Sequence, residues 1–105
     1  MKRKSLSHLD SHVASALEVV GEWWTLLVVH CVLDGVHRFE AIHKELGIAR
    51  NILTDRLATL VEAEVMEKRQ YNAKPARYEY HLTAKGHDLA PAVQALAAWG
   101  KKWVV

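Results

Sequence analysis

At 105 residues, half of them hydrophobic, the chain has the length for one domain with one core, and its lone cysteine, Cys31, excludes an internal disulfide. A formal net charge of +2 does not announce a nucleic-acid partner, but the basic residues are gathered at Lys2, Arg3 and Lys4, across residues 68–77, and at Lys101 and Lys102. No run approaches the roughly 20 apolar residues of a membrane span, and no apolar block follows the basic start, so the expected setting is the cytoplasm.

Residues 1–10 read as a flexible basic arm. Asp10 or Ser11 can cap a helix over residues 11–20, with Val13, Ala16, Leu17 and Val20 on one face, and Gly21 breaks it. Residues 22–33 are apolar almost all round, which predicts a core helix covered on several sides. His30 on that helix is expected to be a satisfied core histidine and Cys31 a buried, structural thiol. Asp34 and Gly35 stop the helix.

Residues 38–63 carry the pattern of a helix-turn-helix. Phe39, Ile42, His43 and Leu46 recur at helical spacing, Gly47 supplies a tight stop, and Ile48 plugs the corner. A second helix follows, with Leu53, Leu57, Leu60 and Val61 inward. Opposite them lie Asn51, Asp55 and Ala58, with Arg50 and Thr54 to one side. Arginine can pair with guanine and asparagine with adenine through two hydrogen bonds each, and threonine can touch a thymine methyl, so Arg50, Asn51, Thr54 and Asp55 are the expected base-reading residues. An ordinary solvated face is the alternative for such an edge.

After residue 63 the period changes to that of strands. Residues 65–71 and 77–82 read as a hairpin, the second strand placing Tyr78, Tyr80 and Leu82 on one side and Arg77, Glu79 and His81 on the other. Residues 72–76 form the expected five-residue turn. A ribbon with a basic tip directly after a reading helix is a wing. Lys68, Lys74 and Arg77, with Arg56 at the core edge of the reading helix, are expected to hold phosphates or build the reading surface. The expected fold class is therefore mainly α with a small β-hairpin wing, a winged helix-turn-helix spanning residues 1–105.

Thr83 is a good cap for a last helix over residues 84–103, with a bend or delayed start at Pro91. Leu89, Val93, Leu96, Trp99 and Trp103 form an apolar stripe longer than so small a domain can cover. A second copy can cover it. The predicted homodimer uses this helix, Val13 and Leu17 of the first helix, and Trp23, with the two reading helices about 34 Å apart on a palindromic operator in double-stranded DNA.

These residues carry a likeness. Trp24-Thr25-Leu26-Leu27, Arg38-Phe39, the run from Gly47 through Leu57, Leu60-Val61-Glu62, Arg77-Tyr78-Glu79-Tyr80-His81-Leu82-Thr83 with Gly86, and Trp99-Gly100 stand in the order and spacing of the HxlR-type winged helix-turn-helix regulators, which the chain resembles over residues 11–103. The resemblance implies a dimeric DNA-binding repressor or activator, in many members responsive to redox or electrophile stress. Three positions depart from the pattern. Ser11 stands where many members have a sensing cysteine, so thiol sensing does not carry over there. Trp23 replaces a usual basic residue and widens an apolar contact or lines an effector pocket. Ala49 replaces a capping serine, at a cost of about 1 kcal/mol to the start of the reading helix.

Other chemistry has little footing. His8 and His12 stand four apart, but only Asp10 is near enough in sequence to complete a metal site, so no metal or cofactor is expected. No phosphate-cradling loop or nucleophile motif is present, and an enzyme is not expected. A winged-helix protein-interaction module with incidental DNA affinity is the alternative function. A third reading adds a small apolar effector beside Trp23, Trp24, Trp99 and Trp103.

Overall fold

The computed structural model describes residues 5–104, and the basic cluster at the start of the predicted arm lies outside them. Helix α1 (His12–Val20) begins where Ser11 Oγ accepts from the Ala14 amide at 3.2 Å and ends at Gly21. Before it, the Ser5 hydroxyl and the Leu6 amide both donate to the Glu18 carboxylate.

Helix α2 (Thr25–Leu33) starts three residues later than its apolar pattern predicts. The reason is Glu22, whose Oε1 accepts from the Trp24 amide at 2.7 Å, the Thr25 amide at 3.1 Å and the Thr25 hydroxyl at 3.1 Å. A carboxylate placed there satisfies orphan amides and complements the helix dipole. The expectation of burial on every side fails. Val28, Val29, Cys31 and Val32 are buried, but Trp23, Leu27 and His30 face out. His30 is paired with Asp34 at 3.5 Å on the surface rather than satisfied in the core. One face of α2 is left uncovered by the described residues.

Helices α3 (Phe39–Leu46) and α4 (Arg50–Glu62) form the helix-turn-helix. Gly47 takes φ +65°, the left-handed conformation that glycine adopts without a Cβ penalty. Ile48 is fully buried in the corner, and the His43 Nδ1 lies 2.7 Å from the Ile48 carbonyl oxygen, tying the corner to α3. Leu53, Leu57 and Leu60 bury the inner stripe of α4 against Val28, Val29 and Ile42. Each such side chain contributes about 1.5–3 kcal/mol by leaving water.

Strands β1 (Met66–Ala73) and β2 (Ala76–Leu82) pair antiparallel, from Met66 opposite Leu82 to Ala73 opposite Ala76. The turn is Lys74-Pro75, not the five residues expected, because pairing continues past Asn72. A register shift between Gln70 and Asn72 lets Tyr71 stand out of the ladder. Burial along β2 does not follow the clean alternation of its sequence. His81 is half-buried along with Tyr80, because its ring stacks on His37 with centroids 4.0 Å apart.

The last helix is broken in two. A single turn, α5 (Ala84–His87), is capped by Thr83 Oγ1, which accepts from the Gly86 amide at 3.1 Å; α6 (Ala90–Trp103) then starts afresh with Pro91 in its first turn. This is the delayed start expected of a proline, which fits where no amide donor is needed. Val93, expected with Leu89 at a dimer interface, is buried in the chain's own core, and Leu89 packs against that core. The end of α6 that leaves the core is the part beyond Val93.

Candidate nucleic-acid interface

The reading edge lies at the start of α4. Arg50, Asn51, Thr54, Asp55 and Ala58 are all exposed, as an inward stripe of leucines on the opposite side requires. Ala49 precedes the helix without a side-chain cap. The Thr54 hydroxyl donates back to the Arg50 carbonyl oxygen at 2.9 Å, which leaves its methyl group and lone pairs for any partner. Asn51 makes no side-chain hydrogen bond among the described residues, so both ends of its amide are free.

The two arginines of α4 are not free. Arg50 pairs end-on with Glu40 on α3, Nη1 to Oε2 at 2.6 Å and Nη2 to Oε1 at 2.8 Å. That bond holds the exposed Glu40 carboxyl below the usual carboxylate range and pushes Arg50 further up. Arg56, mostly covered, reaches Glu22 at 3.5 Å and also bonds Asp55, and its Nε is buried with no partner among the described residues. Arg56 thus ties α4 to the cap of α2. Asp55, placed among the readers by its outward position, is occupied as the partner of that arginine.

The wing is fixed to the helix-turn-helix by contacts that local patterns do not reveal. The Tyr80 amide donates to the His37 carbonyl oxygen at 2.8 Å, and His37 Nδ1 lies 3.0 Å from the Tyr80 carbonyl oxygen. Arg38 donates from Nε to Glu79 at 3.1 Å while its guanidinium covers the Tyr71 ring at 3.9 Å. Glu79 also faces His81 Nε2 at 3.0 Å, and these two bonds, His81 first, hold its carboxyl below the ordinary range. The one sequence signal was Arg38 immediately before α3. Its partners lie some forty residues away and carry no local trace.

Between this seam and the strands runs an open cleft of about 430 Å3, with Arg38, Lys68, Arg77, Tyr71 and Tyr78 among its lining. Lys68 lies over the Tyr78 ring at 4.4 Å. Lys74 at the turn and Arg77 beside it are exposed and have no carboxylate partner among the described residues. The face therefore offers unpaired cations at the wing tip and uncharged polar groups on the reading helix.

Residues 19–105 match the HxlR-like helix-turn-helix family. The chain belongs to that family. Rv3095 of Mycobacterium tuberculosis, named an HTH-type transcriptional regulator, is 42% identical over 99% of this chain, which spans 67% of that relative. YodB of Bacillus subtilis, likewise named an HTH-type transcriptional regulator, is 31% identical over 85% of this chain and 80% of its own. Among solved structures, PA1607 superposes with a TM-score of 0.88 at 36% identity, covering 97% of this chain and 71% of that one. The reduced form of YodB gives 0.75 at 28% identity, over 91% and 95%. The HxlR-type chain is a helix-turn-helix transcriptional regulator by family, and its relatives are regulators, not enzymes.

Two expectations about ligands fare differently. Burial pushes the Cys31 thiol up from its ordinary pKa, with Glu45 and Asp34 adding to the effect, as suits a structural residue. An apolar groove of about 300 Å3 does open beside α6, but Leu26, Leu27, His30, Val93, Leu96 and Ala97 line it, and none of the four tryptophans does. No single helix among the described residues is long and apolar enough to cross a membrane.

Proposed function

We propose that the protein binds a palindromic operator as a homodimer, in the cytoplasm, and regulates transcription there. Asn51, Thr54 and Arg50 read bases from the major groove, while Lys74, Arg77 and Lys68 hold phosphates on either side of it. Asp55 and Arg56 act together to brace the reading helix rather than to touch DNA. The observation that carries this reading is an exposed, unengaged amide, Asn51, next to Arg50, whose partner Glu40 lines the same cleft as Lys68 and Arg77, while Lys74 and Arg77 have no acidic partner of their own among the described residues. Base edges and phosphates supply the two complements that such a face lacks.

Selection of bound sites from a random duplex pool tests it. The expected product is a two-fold repeat with half-sites about one helical turn apart. Binding without sequence enrichment would instead favour a protein-docking module. Two variants then separate the roles. Asn51→Ala is expected to relax preference at one base position per half-site by about 1–3 kcal/mol, leaving the others intact. Lys74→Ala is expected to weaken binding to every sequence alike and to flatten the dependence of log affinity on log salt by about 0.9 for each phosphate that is no longer neutralised. Binding isotherms on single-base operator variants at several salt concentrations read both. If the two variants show the same defect, the division into readers and holders is wrong.

A further inference from the structure

We infer that Glu40 is a positioning residue that orients Arg50 to read guanine, so that α3 helps set the sequence preference of α4. The inference rests on α4 being the DNA-reading helix. Glu40 is the second residue of α3 and Arg50 the first of α4, so the pair bridges the corner of the helix-turn-helix.

The geometry of the pair leaves Arg50 competent. A guanidinium carries five N–H groups in one plane. The end-on contact uses one N–H from each terminal nitrogen, at 2.6 and 2.8 Å. The edge made by Nε–H and the neighbouring outer N–H stays open, and it is a second fork of the kind that matches guanine O6 and N7. Arg50 can keep Glu40 and still offer two donors to a base.

Local electrostatics make the partner necessary. A cation at a helix start opposes the helix dipole, and Ala49 provides no side-chain cap to offset it. Glu40 supplies the missing negative charge, and the bond to Arg50 holds its carboxyl below the ordinary carboxylate range. Both side chains are more than half exposed, and the packing recorded on the Arg50 guanidinium is the Phe39 ring at 6.0 Å, a looser restraint than the two bonds to Glu40. Without Glu40 the long side chain samples many rotamers, and the ordering must then come from DNA binding itself.

The test uses the full chain as wild type, Glu40→Gln, Arg50→Ala and the double variant, with affinities on the selected operator and its single-base variants. Glu40→Gln is expected to lose about tenfold of discrimination at the same base pair that Arg50→Ala affects, and at no other. Affinity for unrelated duplex DNA should hold or rise, because a negative charge has left a surface that faces a polyanion. In the Arg50→Ala background, Glu40→Gln should change no base preference. An unchanged melting temperature would show that the exposed substitution has not disturbed the fold. Full discrimination by Glu40→Gln at that base pair, or an equal change with Arg50 absent, would overturn the role of Glu40. Failure of the wild type to enrich any sequence would overturn it too, and is recognisable because it removes the base-reading role of α4 as a whole.

Discussion

Gly86→Ala is expected to destabilise the protein by about 3 kcal/mol, at the upper end of what one added methyl does in a packed interior. The glycine is buried in α5, and a Cβ built there would lie 2.1 Å from the Val65 carbonyl oxygen and 2.9 Å from Leu82 Cδ2. The nearer atom belongs to backbone that is already engaged: the same carbonyl accepts from the Thr83 amide at 3.1 Å and from the Thr83 hydroxyl at 3.2 Å. Thr83 also donates to the Glu64 carbonyl at 2.6 Å, and Lys85 reaches the Ala63 carbonyl at 2.8 Å. So the atoms that would have to yield are those joining the end of α4 to the start of β1, the end of β2 and α5. Relief at one of them strains the others. Urea unfolding should show a lower midpoint with an unchanged slope, the mark of reduced stability rather than a different unfolded state. A loss under about 1 kcal/mol would mean that this joint is looser than its geometry implies. The cost would also reach function, since the joint fixes where the wing stands relative to the reading helix.

That glycine shows where the sequence speaks and where it is silent. Ser11, Gly47 and Pro91 act on amides and dihedrals within a turn of themselves, so their effects on α1, α3 and α6 can be read from neighbours alone. The inward leucines of α4 are legible for a similar reason, since a period of 3.6 places them on one line. Gly86 is different: nothing in Ala84-Lys85-Gly86-His87 says that the carbonyl of Val65, just before β1, passes within van der Waals reach. The pairs Glu40–Arg50 and Arg38–Glu79 are equally invisible, because each joins elements whose relative position the core decides. The apolar stripe of the last helix is visible in the sequence as one stripe but not as two. Val93 and Leu89 belong to the inside and Leu96, Trp99 and Trp103 to the outside, and the division depends on where α6 leaves α2. The charge of the reading face is hidden for one further reason. A run of residues shows that Arg50, Asp55 and Arg56 point outward or sideways, but not that carboxylates have already claimed both arginines.

Replacing Leu96 and Trp103 together by glutamate is expected to leave the subunit folded, convert it to a monomer, and weaken operator binding at least about a hundredfold. Neither residue is in the subunit's core. Leu96 is 56% exposed, Trp99 60%, Trp103 68%, Val13 70% and Trp23 85%, an amount of bare aromatic and aliphatic surface that single soluble domains rarely carry without a partner. Gly100 sits in the same stretch of α6, and a Cβ there would meet nothing within 4 Å in the subunit. A glycine that costs helix stability of about 1 kcal/mol without relieving any internal crowding gains a purpose if another helix passes close by. A two-fold interface brings each of these residues against its own copy or its neighbours, so two glutamates per chain place four carboxylates in one apolar seam. Burying them unpaired is far costlier than forgoing the apolar packing alone. Separation of the subunits then removes the gain from joining two half-sites, worth a factor of about 100–10,000 when the linkage spans the sites well. Affinity for an isolated half-site should scarcely move, because Arg50, Asn51 and the wing are untouched. Sedimentation gives the assembly state, and titration on full and half operators gives the two affinities. A variant that stays dimeric, or a monomer that binds the full operator as tightly as wild type, would show that the exposed face of α6 does not unite the two reading helices.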